Sequence, residues 1–426
     1  MKTTPANAIQ RIEGHPIKAC YVGTNAAARL ADFASQHLGR SCLLVADENT
    51  LAAGGDKAVS ALSAANRRIA HKTYGPEPLD ATEELGDEVA ASSRDVDFIV
   101  AVGSGTLCDL AKHAGTKLGK PSVLYATAAS MNGYTSGITA LKVRGLKRTT
   151  PCAPALGVFA DPEVVATAPQ RMAAAGVADF LSKCSSASDW RTAHLLRNEY
   201  FSPMAMAFYE GTVEQVLNAA PGVGRADLEA LAVVLEALLL SGLSMLAAGS
   251  SSPASGGEHL LSHYLDMKSA LYGTSHDLHG AQVGVGTVHC LGLWERILSL
   301  DPAALDADAL AAAQPNEGEI RAWIEQDWGP VAGEVLKQWQ EKALPPRKLR
   351  HEIAHIASKY QTLCEGVRKD YLPPATVAEA IRAAGGPVTP EELDAPAEEF
   401  RKAVKRARFI RNRFTVLDLA AELGIE

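Results

Sequence analysis

Paired cysteines are missing. The seven cysteines at 20, 42, 108, 152, 184, 290 and 364 form no CxxC spacing, and their number is odd. The pattern looks like reduced thiols in a cytosolic protein and not a disulfide framework. The N-terminus, MKTTPANAIQRIEGHP, lacks an apolar core of signal-peptide type, so no export is indicated. Positive charge is scarce: 41 Lys and Arg stand against 49 Asp and Glu, for a formal charge of −8. That argues against nucleic acid or an anionic membrane as the main partner. Any phosphate-bearing ligand must then be held by a local device. Internal repeats, low-complexity tracts and long charged tails are also missing. One long apolar run, Leu231–Leu246, includes Glu236, Ser241 and Ser244, and reads as a buried helix rather than a membrane span.

What is present is a chain of 426 residues, long enough that two domains are the natural expectation. The runs Ser41–Asp47, Asp97–Gly103, Ser122–Ala128 and Leu156–Asp161 read as buried parallel strands. Helical segments such as Lys57–Ala65 and Leu107–Leu118 lie between them, in the βαβ rhythm of an open α/β sheet. From about Glu163 onward, Ala- and Leu-rich helical periodicity dominates. The predicted division is an α/β domain with a parallel sheet over residues 1–163, followed by an all-helical domain over 164–426.

The densest chemistry lies in Ser251–Gly280. His259 and His263 are four apart and share one face of a predicted helix. His279 arrives 20 positions after His259, and four of the twelve histidines (His276 is the fourth) fall within 21 residues. This density suggests a divalent metal held by imidazoles and a carboxylate from elsewhere, against a plainer reading as a buried helix pair with surface histidines. The best carboxylate is Asp179, on an apolar helical stretch where an unpaired Asp would be costly. A metal would resolve that cost, and so would an ion pair with Lys183. HEXXH is excluded as a motif, because Leu260 follows His259.

A second group of features points to a nucleotide. Gly103, Ser104, Gly105, Thr106 and Leu107 join a predicted strand to a predicted helix. Such a turn lets backbone N–H groups approach a pyrophosphate, although GSGT alone also describes an ordinary tight turn. Thr127, Ala128, Ala129 and Ser130 offer small side chains after another strand. Asp47 ends the first strand, where it could bind ribose hydroxyls and repel a 2′-phosphate, favouring NAD, or simply cap the helix that follows. Asp47 precedes the glycines by 56 residues rather than following them by about 20, so this is not a standard dinucleotide fingerprint.

GSGTLCDLAK (103–112), TAASMNGYTSG (127–137), GVADFLSK (176–183), PASGGEHLLSH (253–263) and HGAQVGVGT (279–287) occur in order. Together they resemble the sn-glycerol-1-phosphate dehydrogenases, bacterial branch. That group lies within the superfamily of iron-containing alcohol dehydrogenases, glycerol dehydrogenases and dehydroquinate synthases. The tail RFIRNRFTVLDLAAELG (408–424) is in the same style. The resemblance implies a dehydroquinate synthase-like fold, with the active site in a cleft between a nucleotide domain and a helical metal domain. It implies metal ligands Asp179, His259 and His279, with His263 toward substrate. It implies NAD(H) along Gly103–Leu107 and Thr127–Ser130 and against Ser136, with Asp47 as the ribose acid. Zinc suits that ligand set best, nickel is allowed and iron is less favoured.

The implied reaction joins dihydroxyacetone phosphate and sn-glycerol 1-phosphate, in a cytoplasmic homodimer or larger assembly that acts on a small molecule. One residue departs from the family pattern. Its usual SMDGYTS reads SMNGYTS here, so Asn132 stands where an Asp would contact substrate. Asn keeps a carbonyl acceptor but loses the charge. The neighbouring alternatives are a dehydrogenase of the same build for another polyol, hydroxyketone or phosphonate, and, further off, a dehydroquinate synthase-like lyase. Lys147 and Arg148 are candidates for the substrate phosphate, or a solvated loop pair.

Overall fold

The computed structural model describes residues 3–143 and 146–425. Its strands are β1 (Ala19–Val22), β2 (Ser41–Asp47), β3 (Arg68–Tyr74), β4 (Phe98–Gly103), β5 (Ser122–Ala126), β6 (Ile138–Val143), β7 (Leu146–Pro151) and β8 (Gly157–Ala160). Six form one parallel sheet in the order β1-β8-β5-β4-β2-β3. The four strands read from apolar runs are its centre. β2, β4, β5 and β8 are buried almost throughout because helices cover both faces. Helices α1 (Ala26–His37) and α2 (Asp56–Ala64) supply part of that cover, packing Leu30, Phe33 and Leu62 against Leu44, Val100 and Tyr125.

β1 and β3 carry no buried run that would reveal them, since each is only partly buried at a sheet edge. β6 and β7 form a separate antiparallel hairpin. Arg148 therefore lies on a strand and not on a loop, as does the backbone of Lys147, whose side chain lies outside the described residues.

The strand order holds a topological switch. The chain leaves β2 for β3 on one side, then crosses to β4 on the other. Ligands of open α/β sheets bind where such neighbours diverge, beyond the carboxyl ends of the strands. Val45 pairs with Ala101, so two residues further on Asp47 stands level with Gly103. The two are 56 residues apart in sequence and end neighbouring strands of the sheet.

Later helices used below are α3 (Gly105–Leu118), α4 (Gln170–Leu181), α5 (Lys183–Arg197), α6 (Leu228–Ala248), α7 (Gly257–Tyr272), α8 (His279–Leu298) and α9 (Val416–Glu422). The sheet ends at Ala160, as expected, but the compact units do not divide at 163/164. The first unit is Met1–Phe180, Met204–Ser250 and Ala383–Gly386; the second is Leu181–Pro203, Ser251–Arg382 and Pro387–Glu426. The reason is α6. It is long and apolar enough to cross a membrane, yet 72% of its most apolar window is buried. Leu240 and Leu243 pack with Ala8, Ile12, Ile17 and Phe208, so the helix is part of the sheet unit's core.

Within the second unit, α7 and α8 lie against each other so closely that a Cβ on Gly286 would come within 2.8 Å of the Glu258 carbonyl. Tyr264 and Trp328 meet edge to face at 4.8 Å in its core. All seven cysteines are free thiols.

Candidate active site

In the first unit the residues singled out for a nucleotide gather at the carboxyl edge of the sheet. Gly103 pairs with Ala126, and Ala126 with Ala160, so the ends of three strands are level. α3 begins at Gly105 rather than near Leu107, with Ser104 at its N-cap making no side-chain cap bond. The first-turn N–H groups of Gly105, Thr106 and Leu107 have no carbonyl within the helix, which is the arrangement that accepts an anion. The Thr127 N–H donates to the Gly103 carbonyl at 3.2 Å, tying the Thr127–Ser130 loop to the glycine turn. Asp47 does cap the helix after it: Oδ1 accepts the Thr50 N–H at 2.7 Å. Both sequence readings of Asp47 remain chemically compatible, because a carboxylate has a second oxygen.

Ser136 is fully buried, and its hydroxyl lies 2.9 Å from the Gly133 carbonyl and 3.2 Å from that of Ile138. The segment around it is held from three sides. Lys112 Nζ donates to the carbonyls of Gly133 and Ile138 at 2.8 and 2.7 Å, and lies 3.1 Å from Asp109. The Thr135 hydroxyl donates to the Leu239 carbonyl of α6 at 2.7 Å. Gly242 lets α6 come near: a Cβ there would sit 2.6 Å from the Asn132 carbonyl.

Asp179 is fully buried on α4. Its Oδ2 accepts the Asn132 N–H at 2.9 Å, and its Oδ1 lies 3.3 Å from Asn132 Nδ2. This contact depends on Gly176, one helical turn earlier, where a Cβ would be 1.9 Å from the Ala129 carbonyl. Only a glycine lets α4 settle that close to the loop.

In the second unit, His259 and His263 lie on α7 and His279 opens α8. Their rings form a triangle with centroids 6.2, 5.2 and 5.8 Å apart. Each of the two expected ligands has its Nδ1 engaged. His259 Nδ1 is 2.9 Å from Glu258 Oε1, and His279 Nδ1 is 3.1 Å from Ser262 Oγ. With the proton on Nδ1, Nε2 keeps its lone pair for a metal. Behind these sit Gln282 and Asp266: Gln282 Nε2 donates to Ser262 Oγ at 3.0 Å and to Asp266 Oδ1 at 2.9 Å.

Burial alone would raise the Glu258 carboxyl. The bonds it accepts from His259 and from the Gly256 N–H outweigh this and hold it below its ordinary value. The neighbouring Asp189 is pushed well up, by burial and then by the Glu258 charge.

Asp179 belongs to the first unit and His259 and His279 to the second; a carboxylate and imidazoles whose Nδ1 atoms are engaged are ligand types that a divalent ion accepts. His276 is exposed. Sequence reasoning missed Glu258, Ser262 and Gln282. An acid directly before His259 on a buried helix was the available signal for the first; the others gave none.

A sequence profile of the iron-containing alcohol dehydrogenases matches residues 21–169. The chain is 28% identical over 417 residues to the glycerol-1-phosphate dehydrogenase (NAD(P)+) of Bacillus licheniformis, covering 96% of this chain and 91% of that one. It is 34% identical over 278 residues to the protein of the same name from Halalkalibacterium halodurans, covering 64% of this chain and 70% of the relative. Among solved structures, NADH-dependent butanol dehydrogenase A from Thermotoga maritima aligns with a TM-score of 0.60 at 14% identity, over 97% of both chains. That likeness establishes the shared fold.

Proposed function

This chain belongs to the glycerol-1-phosphate dehydrogenase family, and we propose that it interconverts dihydroxyacetone phosphate and sn-glycerol 1-phosphate with NAD(H) and a divalent metal. The observation that carries the reading is the pair of imidazoles His259 and His279, ring centroids 5.2 Å apart and each with its Nδ1 engaged, in a chain of this family. When bound, the ion would polarise the substrate's ketone or alcohol oxygen and the nicotinamide would carry the hydride.

The chain's own residues do the positioning. Glu258 and Ser262 fix the two imidazoles, and Asn132 fixes Asp179. The Asn132 side-chain carbonyl serves as acceptor for a substrate hydroxyl, which an amide can do as well as a carboxylate. His263, one turn beyond His259 and stacked at 19° on the His279 ring, hydrogen-bonds the substrate or relays its proton through water. Asp47 takes the ribose hydroxyls of the cofactor, favouring NAD over NADP, while the first turn of α3 and the Thr127–Ser130 loop line its phosphates. Zinc is the expected ion, the expected setting is the cytoplasm, and a homo-oligomer is the expected assembly.

The test is NADH oxidation with dihydroxyacetone phosphate, using metal-free protein reloaded with zinc or nickel. The unphosphorylated ketone and NADPH serve as controls. Metal-dependent turnover confined to the phosphate ester is expected. Turnover of the unphosphorylated ketone alone, or of neither, would transfer the activity to another polyol or hydroxyketone and refute the substrate assignment.

A further inference from the structure

The helix that carries His259 does not cap itself. Its N-cap is Gly256, which has no side chain, and His259 is only the third residue of α7. The first N–H groups of a helix need acceptors from elsewhere when buried. The Gly257 N–H finds one in Asp189 Oδ2, at 2.7 Å, from α5. The other oxygen of the same carboxylate accepts the Val416 N–H at 2.9 Å, at the first turn of α9. One buried carboxylate thus caps the metal-ligand helix and the C-terminal helix together.

The C-terminal segment is bound to the same loop by other means. The Arg413 guanidinium donates to the Ser255 carbonyl and to Ser251 Oγ, the latter at 2.9 Å. A Cβ on Gly257 would sit 3.1 Å from Leu417 Cγ and 3.3 Å from Val416 Cγ1, so α9 rests directly on the start of α7. The segment is itself anchored. Lys342 Nζ reaches the Arg413 carbonyl at 2.8 Å and Asp418 at 2.7 Å, and Arg197 meets Glu422 at 2.9 Å.

We propose that Arg413–Leu423 is a latch that sets the position of His259 for metal binding, with Asp189 as the positioning residue that joins latch to ligand helix. The inference rests on the metal reading above. From Asp189 the connection runs through Gly257 and Glu258 to His259 Nδ1, two residues along the helix. Outer-shell partners of this kind set ligand orientation, and their loss weakens metal affinity by about 10- to 100-fold.

Val416→Pro in the full chain tests the cap. It deletes the N–H given to Asp189, at a helix position where proline is well accepted, and keeps an apolar side chain at the buried site. Thr415, with φ −140° and ψ 175°, already has the extended backbone that a residue before proline adopts. The readouts are zinc affinity by chelator competition, the visible spectrum of the cobalt-loaded protein, and NADH affinity. Zinc dissociation constants about 10- to 100-fold higher and a changed cobalt spectrum are expected, with NADH affinity unmoved.

Asp189→Asn should weaken zinc further, since an amide turns a donor toward one of the two N–H groups. Ser251→Ala, which removes one partner of Arg413 and leaves both helix caps in place, should give a smaller loss in the same direction. Wild-type zinc affinity in every folded variant overturns the latch. A wild-type chain that takes up neither zinc nor cobalt overturns the metal reading itself, and the latch with it.

Discussion

Asn132 holds both oxygens of Asp179, its backbone N–H 2.9 Å from Oδ2 and its side-chain amide 3.3 Å from Oδ1. The residue that departs from the family pattern is therefore a neighbour of the expected metal carboxylate as well as a candidate substrate contact. A hydrogen bond to a charged group contributes about 1.5–3 kcal/mol. Asn132→Ala should weaken zinc binding about tenfold and also raise KM for the phosphorylated ketone when measured at saturating metal. Metal titration and steady-state kinetics separate the two effects, and a variant unchanged in both would show that neither contact matters.

Gly176→Ala tests the close approach that presents Asp179. The new methyl would need to sit 1.9 Å from the Ala129 carbonyl, and backbone on both sides leaves little room to yield. Overpacking of this kind costs about 1–3 kcal/mol or more. A lower Tm is expected, with zinc affinity reduced because α4 can no longer settle on the Asn132 loop. Normal metal binding in this variant would mean that Asp179 is not held by that packing.

Chelation should separate metal dependence from cofactor binding. Removing the ion should abolish turnover while NADH binding, followed by its fluorescence, persists at the sheet edge. Zinc should restore the rate. Full activity in rigorously metal-free protein would refute the role given to Asp179, His259 and His279.

His289 should contribute a pH-dependent component to stability. Burial, reinforced by the charge of Arg296, pushes its imidazole down to about 4. The unfolded chain takes up this proton near pH 6.5 and the folded chain does not. Stability contributed by the neutral ring is thus present above about pH 6.5 and lost as pH falls toward 4, by ~3 kcal/mol. His289→Gln should show a smaller drop in Tm between pH 7 and 4.5 than the wild type. Parallel curves would contradict the shift.

The central strands were legible because each is an unbroken apolar run, the signature of a strand buried on both faces. The edge strands β1 and β3 were not, since a partly buried edge has no such run. The helical spacing of His259 and His263 was equally plain, because it depends only on the turn of a helix. The internal partners of Ser136, the carbonyls of Gly133 and Ile138, had no signal in the sequence, because a small polar side chain suits many contacts equally well.

The local periods are written in the sequence: the apolar strands, the glycine turn, the buried α6 and the histidine spacing. Which distant residues meet depends on how the elements pack. Register between β2 and β4 sets Asp47 level with Gly103. The missing side chain at Gly176 brings Asp179 to Asn132, and a single Asp189 carboxylate joins the starts of α7 and α9. Such contacts follow from strand register and from how closely two backbones approach, and no spacing along the chain encodes either.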